Sequence, residues 1–432
     1  MKVGVISLGC AKNLVDSEYL LGLLRESGIE VVSSYKEAYA MIINTCGFIE
    51  SAKTEAIDTI LEAAEHKKDG LQKLIVMGCL SQRYRPQLEQ ELPEVDRFIT
   101  IDEYGDLGQI LTEVLEVPVA NTYGKSTRVL SGKPWMAYLR IADGCDNQCS
   151  YCAIPLIRGK FVSRPMEEII DEARELCANG VKELNLIAQD SSRYGIDRYG
   201  SLKLSELLKQ LDEVPGVQWI RILYLYPDEI PDDLVDTIRT SRHVLPYFDI
   251  PIQHGSNRML RAMHRRGNRE LILDRCQKLR ASFDHAVLRT TLIAGFPGET
   301  LEDHEENLSL LKEIRWDHLG AFTYSKEEDT PAYDMEDDVA PEEKTRRMNE
   351  LMEAQSAISH ELLESLLGSE QEVLVERIDP LSGMAIGRGY MQAPDNVDGV
   401  VRVRCHSDPV PGPFVKARFT KVAGLNLIGE EV

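Results

Sequence analysis

The sequence predicts an α/β protein in three parts: an N-terminal doubly wound parallel sheet, a central partial barrel of strand–helix repeats, and a small C-terminal antiparallel β-barrel. Three observations predict it. Continuous apolar runs alternate with helical periodicity from Lys2 to Glu116, as in a sheet covered on both faces. The same alternation then repeats six times between Trp135 and Tyr324. After Gly368 the pattern becomes short alternating strands separated by Gly and Pro.

The first part, residues 1–117, opens on the apolar run 2–8 and continues with a helical pattern over 16–27 carrying leucines at 20, 21, 23 and 24. A second run, 40–43, precedes a helix over 51–67, and a third, 73–77, follows. A fourth strand is expected over 97–101 and a helix over 107–116. Cysteines mark the ends of the first three strands: Cys10, Cys46 and Cys79. In an open parallel sheet the strand carboxyl ends share one edge, where ligands bind. Three cysteines distant in sequence are therefore expected to converge there as a second cluster-binding triad. Single buried cysteines at strand ends are otherwise common.

Residues 118–130 lack periodicity and read as a linker. The central part, 131–361, begins with a strand over 135–142. Further strands are expected over 183–188, 218–224, 247–252, 287–294 and 318–324, with helices over 166–178, 204–214, 232–241, 269–283 and 301–314. Function in such a barrel sits at the strand carboxyl ends. Polar segments at Gln189, at Gln253-His254-Gly255-Ser256 and at Gly295-Phe296-Pro297-Gly298-Glu299-Thr300 occupy those ends. Arg221 and Gln189 are candidate contacts to a cofactor's carboxylate or ribose. Cys177 and Cys276 lie in apolar helical patterns and read as core. A long amphipathic helix over 345–367 precedes the third part, residues 364–432, with strands over 371–378, 384–390, 399–404 and 414–422.

The chain's 432 residues carry a net charge of −22, which repels a phosphate backbone and attracts a basic partner. No stable nucleic-acid binding is expected. Between 366 and 432 there are nine acidic and seven basic residues, so the last part is not a basic platform. No run approaches the length of a membrane span, and the short apolar start before Cys10 does not make a lipoprotein leader. Nine cysteines fit a reducing compartment, so a cytoplasmic, unprocessed protein is expected.

The stretch Cys145-Asp-Asn-Gln-Cys149-Ser-Tyr-Cys152 carries the chemistry. An iron–sulfur cube has four irons and normally takes four cysteines; three in one loop leave one iron open for a ligand. A tetrahedral zinc would want a fourth ligand, and none follows at finger spacing. The spacing, with aromatic Tyr151 before the last cysteine, resembles the signature of the radical S-adenosylmethionine (radical SAM) enzymes. That resemblance implies a 4Fe–4S cluster on Cys145, Cys149 and Cys152 whose open iron holds S-adenosylmethionine, a 5′-deoxyadenosyl radical as product, and a cofactor-lining role for Gly295 and Pro297.

Across nearly the whole chain the order of parts is similar to the methylthiotransferases. Matching segments are Leu8-Gly9-Cys10-Ala11-Lys12-Asn13, Asn44-Thr45-Cys46-Gly47-Phe48, the Cys145 loop and the Gly295 turn, with a C-terminal barrel that looks like a TRAM domain. The resemblance implies a second, auxiliary 4Fe–4S cluster on Cys10, Cys46 and Cys79, two S-adenosylmethionine molecules per turnover, and a flavodoxin-type electron donor. Tyr324-Ser325-Lys326-Glu327-Glu328 resembles the branch that modifies the β-carbon of an aspartate in ribosomal protein S-twelve, with Asp329 departing from that branch's usual glycine. The other branch modifies adenosine in tRNA. Two carboxylates at a strand's carboxyl end suit a basic protein loop, so Glu327 and Glu328 are expected to bind substrate. A non-catalytic iron–sulfur sensor is the reading from another class; release of 5′-deoxyadenosine separates the two.

Overall fold

The computed structural model describes residues 1–124, 128–395 and 397–432. In the N-terminal domain β1 (Lys2–Ser7), β2 (Glu30–Val32), β3 (Ala40–Thr45), β4 (Lys73–Gly78) and β5 (Arg97–Ile99) form one sheet in the order β2-β1-β3-β4-β5. Every pair is parallel. Helices α1 (Ala11–Glu26), α2 (Glu50–Glu65), α3 (Cys79–Glu91) and α4 (Leu107–Leu115) cover both faces. All six residues of β3 are buried for that reason. The strand order reverses between β1 and β3, so the crevice at their carboxyl ends is the expected ligand edge of such a sheet.

The central unit is a six-stranded parallel sheet, β6 (Met136–Arg140), β9 (Glu183–Ile187), β10 (Trp219–Ile222), β11 (Val244–Asp249), β12 (Val287–Ala294) and β13 (His318–Thr323), in chain order from one edge to the other. Between β6 and β9 lie a two-stranded ribbon, β7 (Ala142–Asp143) with β8 (Val162–Ser163), and the short α5 (Ile154–Arg158); the Cys145 loop runs between β7 and α5. Helices α6 (Met166–Ala178), α7 (Ile196–Tyr199), α8 (Leu204–Asp212), α9 (Asp232–Thr240), α10 (Asn257–Ala262), α11 (Arg269–Ser282), α12 (Leu301–Ile314) and α13 (Pro341–Glu364) complete it. One side chain set of each strand packs under these helices: Leu184, Leu186, Ile220, Ile222, Phe248 and Leu288 belong to that core.

The alternate set faces the other way and meets the C-terminal barrel. Trp219, Tyr247 and Val287 share a core with Val373, Val401 and Phe419. That barrel closes through β14 (Glu370–Ile378), β15 (Ala385–Arg388), β16 (Val401–Arg404), β18 (Asn426–Glu431) and β17 (Phe414–Ala423). It is not wholly antiparallel as expected: β16 pairs parallel with β18. The fifth strand follows Gly424, whose φ of +62° permits a turn too tight to leave a linker in the sequence pattern. Among the basic residues of this barrel, Lys416 and Arg418 pair with Glu370.

A buried ion network locks the two barrels together. Glu183 receives Arg388 at 2.5 Å and Arg221 at 3.1 Å, with all three side chains fully buried. Arg388 also reaches Glu376 at 2.8 Å. The expectation that Arg221 contacts a cofactor is corrected here. It donates to the Tyr390 carbonyl at 2.8 Å and lies 4.3 Å from the Tyr247 ring centroid, so the C-terminal barrel has claimed it.

Candidate active site

The two cysteine triads sit on either side of one seam. Cys10 and Cys46 follow β1 and β3, flanking the switch point, and Cys79 opens α3 after β4. A methyl group built on Gly9 would lie 3.3 Å from Cys46 Sγ, so glycine is what lets the first strand end come so close to the second. Asn13 fixes the edge. Its side-chain amide donates to the carbonyls of Leu8 and Thr45, and its Oδ1 lies 3.4 Å from Cys79 Sγ. Asn44 donates back to the Asn13 carbonyl.

The second triad is held by the barrel. Cys145 N–H donates to the Gly159 carbonyl, and Ser150 N–H to the Met263 carbonyl. Arg265 Nη1 is 3.6 Å from Cys149 Sγ and Tyr226 Oη is 3.8 Å from it. Arg265 also stacks 4.1 Å from the Tyr226 ring centroid. Asn147 donates to Asp190 at 2.8 Å, and burial pushes that carboxyl up to about 6. Burial likewise pushes Cys145 up to about 11, and Cys152 and Cys79 up to about 12.

Arg158 joins the triads. It projects from α5, just after the Cys145 loop, into the N-terminal domain. Its guanidinium contacts Asn13 at 2.9 Å, Asp16 at 2.8 Å and Cys79 Sγ at 3.8 Å. On the near side it pairs with Asp143 at 3.0 Å, and Gln189 donates to the same carboxylate at 3.0 Å. A second bridge is the segment Tyr224-Leu225-Tyr226. Tyr226 approaches Cys149, while the Tyr224 ring lies 3.4 Å from Lys12 Nζ in the first turn of α1. Tyr224 takes a left-handed φ of +64°, a strained conformation for a bulky residue that marks a constrained site.

The donor sets fit iron–sulfur clusters. Both are cysteine triads without histidine, and cations and a hydroxyl point at the sulfurs, as a thiolate-bearing inorganic centre requires. Among the described residues no three His, Cys, Asp or Glu side chains converge tightly enough to hold a single metal ion. A cube spreads its thiolates over several irons, so three cysteines that hold one need not share a single coordination sphere. Cys177 and Cys276 are buried in the core as expected.

The Gly295 turn is built by backbone demands. Gly295 has φ +72°, and a methyl group there would meet Lys344 Cγ at 2.2 Å. Glu299 accepts the N–H groups of Gly295 and Phe296, and Thr300 caps α12 through a capping box with Asp303. Pro297 is buried within the turn.

Glu327 corrects the substrate-binding expectation. It is 2% exposed. Lys53 of α2 pairs with it at 3.2 Å and Arg83 of α3 at 3.3 Å, while Glu50 N–H donates at 3.1 Å. The N-terminal domain covers this strand end, so Glu327 clasps two domains instead of meeting a partner. Glu328 is exposed beside it.

Three segments match family models: the Uncharacterized protein family UPF0004 over residues 2–100, the Radical SAM superfamily over 139–311 and the TRAM domain over 367–432. In fold the chain is similar to the radical S-adenosylmethionine methyltransferase TsrM from Kitasatospora setae, with a TM-score of 0.55 and 13% identity over 77% of this chain and 76% of that one. Together the matches give a radical SAM core set between an N-terminal α/β domain and a TRAM barrel. The ribosomal protein uS12 methylthiotransferase RimO of Aquifex aeolicus is 45% identical over 100% of this chain and 97% of its own. That of Lachnoclostridium phytofermentans is 44% identical over 99% of each. The chain belongs to the ribosomal protein uS12 methylthiotransferase family. No helix among the described residues is long and apolar enough to cross a membrane.

Sequence reasoning missed Arg158, Arg265, Asp143, Lys12 and Asn13. Lys12 and Asn13 were within a quoted motif but had no assigned role. Arg158 carried a faint signal, a charged residue ending an apolar segment only six positions after Cys152.

Proposed function

We propose that this chain inserts a methylthio group at the β-carbon of an aspartate on a basic loop of ribosomal protein S-twelve. The observation that carries the reading is the convergence of two cysteine triads on one seam, bridged by Arg158 and by Tyr224–Tyr226, in a chain this similar to uS12 methylthiotransferases. Cys145, Cys149 and Cys152 would hold one 4Fe–4S cluster, and Cys10, Cys46 and Cys79 the other. When bound, these groups and S-adenosylmethionine supply hydrogen-atom abstraction on one side of the seam and a methylthio group on the other.

The chain's own residues do the rest. Arg265 and Tyr226 place positive charge and a hydroxyl beside Cys149 Sγ, where they would meet the sulfur of a bound cluster. Arg158 does the same for Cys79 and fixes the N-terminal domain against the barrel through Asp16 and Asp143. Gln189 keeps Asp143 oriented, and with Gly295 and Pro297 it remains a candidate lining for the cofactor. A cavity of about 730 Å³ lies between Cys10, Tyr224, Asp249 and the C-terminal barrel, and it receives the substrate loop. Exposed Phe322 on its wall provides an apolar contact. The net charge of −22 draws in a basic partner. Ribosomal proteins from a strain lacking this chain, compared by mass spectrometry with its parent, should lack one methylthio group on that aspartate. An unchanged protein beside a tRNA that has lost the group would transfer the reading to the tRNA branch.

A further inference from the structure

Large apolar side chains stand in water around the cavity of about 730 Å³. Phe322 is 58% exposed, Val397 60%, Leu425 43% and Met352 40%, and all four line it. They come from four segments: Phe322 from β13, Met352 from α13, Val397 from the chain between β15 and β16, and Leu425 from the turn between β17 and β18. A single exposed apolar side chain needs no explanation. Several gathered from distant segments around one concavity mark a binding surface.

The strand pattern turns Phe322 toward the barrel interior. Leu319 and Ala321 pack into the core under the helices, so the alternate residues His318, Gly320 and Phe322 face the other way. Gly320 keeps the wall beside the ring clear, since a methyl group there would come within 3.4 Å of Phe322 Cε2. The cavity's charges say what else its occupant carries. Among the described residues its lining holds three carboxylates, Asp249, Asp395 and Asp398, against one guanidinium, Arg289, which already pairs with Asp395 at 2.9 Å. That balance favours a chain with positive charge near its apolar side chain and disfavours phosphate. Three of the four exposed groups are aliphatic, which suits an aliphatic side chain. Base recognition relies instead on aromatic stacking along a positively charged groove.

We propose that Phe322, Met352, Val397 and Leu425 form a specificity subsite that takes a large aliphatic side chain flanking the modified aspartate on the basic substrate loop. Seating that side chain removes apolar surface from water on both partners. It also holds the neighbouring aspartate in the cavity that Cys10 lines. The long helix α13 and the C-terminal barrel thereby take part in choosing the substrate, since Met352, Val397 and Leu425 belong to them. This inference rests on the protein-substrate reading above and adds to it the chemistry of the residue beside the aspartate.

The test uses the reconstituted holoenzyme and two fluorescent peptides. One copies the target loop of ribosomal protein S-twelve; in the other, the large aliphatic residues within two positions of the aspartate are replaced by alanine. Wild type should bind the first at least about tenfold more tightly than the second. The double variant Phe322→Ala, Leu425→Ala should bind the two within about twofold of each other, because losses on the two sides of one contact do not add. Both side chains are exposed, so its iron content and melting curve should match wild type. Phe322→Leu alone should keep most of the preference. Equal discrimination by the double variant and wild type would overturn the proposal, as would equal binding of the two peptides by wild type. So would a lowered melting point or lost iron in the double variant, which would make these side chains part of the fold's own packing. Failure of wild type to modify the first peptide, while it methylthiolates tRNA, would instead remove the functional reading and this inference with it.

Discussion

Six cysteines divide the chemistry at the level of single residues. The triple variant of Cys145, Cys149 and Cys152 to Ala should lose half of about eight irons, four per cube, and all cleavage of S-adenosylmethionine. The triple variant of Cys10, Cys46 and Cys79 should lose the other half and sulfur insertion, yet still form 5′-deoxyadenosine. Iron analysis and product chromatography read both; unchanged iron in either variant would refute that triad's assignment. Glu327 gives the opposite lesson. A strand-end carboxylate looks like a ligand for a basic loop, but Lys53 and Arg83 already hold it. Glu327→Gln leaves buried Arg83 without its acid and Lys53 with only the exposed Glu50, a loss of about 3–5 kcal/mol. Thermal unfolding should show the N-terminal domain loosened, with peptide affinity changed little. An unaltered melting curve combined with much weaker peptide binding would restore the substrate role.

Elements were legible wherever one periodicity ran long enough. The strand over 287–294 and the helices over 166–178 and 301–314 were read to the residue. Helix α3 was not read, because Pro86 interrupts it and few of its residues are apolar. Strand β2 has three residues and little burial, so it carries no pattern. The six candidate cluster cysteines stand out in the sequence because metal chemistry restricts both residue type and spacing. The roles of Arg158, Glu327 and Lys12 do not, because their contacts are with residues more than a hundred positions away. At the Gly295 turn, backbone geometry makes a graded prediction. Gly295→Ala meets both a positive φ and a Lys344 contact at 2.2 Å and should cost about 1–3 kcal/mol. Gly298→Ala shares the positive φ but has open space, with no neighbour nearer than 4.0 Å, so it should cost less. Denaturant titration of both gives the order; a reversed order would contradict the packing described for this turn.

The three domains act as one body through buried charge as well as apolar contact. Glu183 binds Arg388 and Arg221 across the barrel interface, and those guanidinium groups hold its carboxyl below the usual range despite burial. A depressed folded value means this stabilisation is fully present above the unfolded carboxylate's value, about 4.3, and is lost as pH falls through the folded one. Glu183→Gln should therefore destabilise the C-terminal barrel by about 3–5 kcal/mol at neutral pH, and the deficit against wild type should shrink in acid. A deficit that stays constant down to strongly acidic pH would deny the network its charge.

The central claim is that the two cysteine triads form a single site that methylthiolates a protein aspartate. Its most direct measurement offers the reconstituted wild-type enzyme, S-adenosylmethionine and a reductant both ribosomal protein S-twelve and unmodified tRNA in one vessel, and follows each by mass spectrometry. The account predicts a methylthio group on the aspartate β-carbon of the protein, with 5′-deoxyadenosine released and the tRNA untouched. Methylthiolation of the tRNA alone, or 5′-deoxyadenosine release with neither substrate modified, would contradict it.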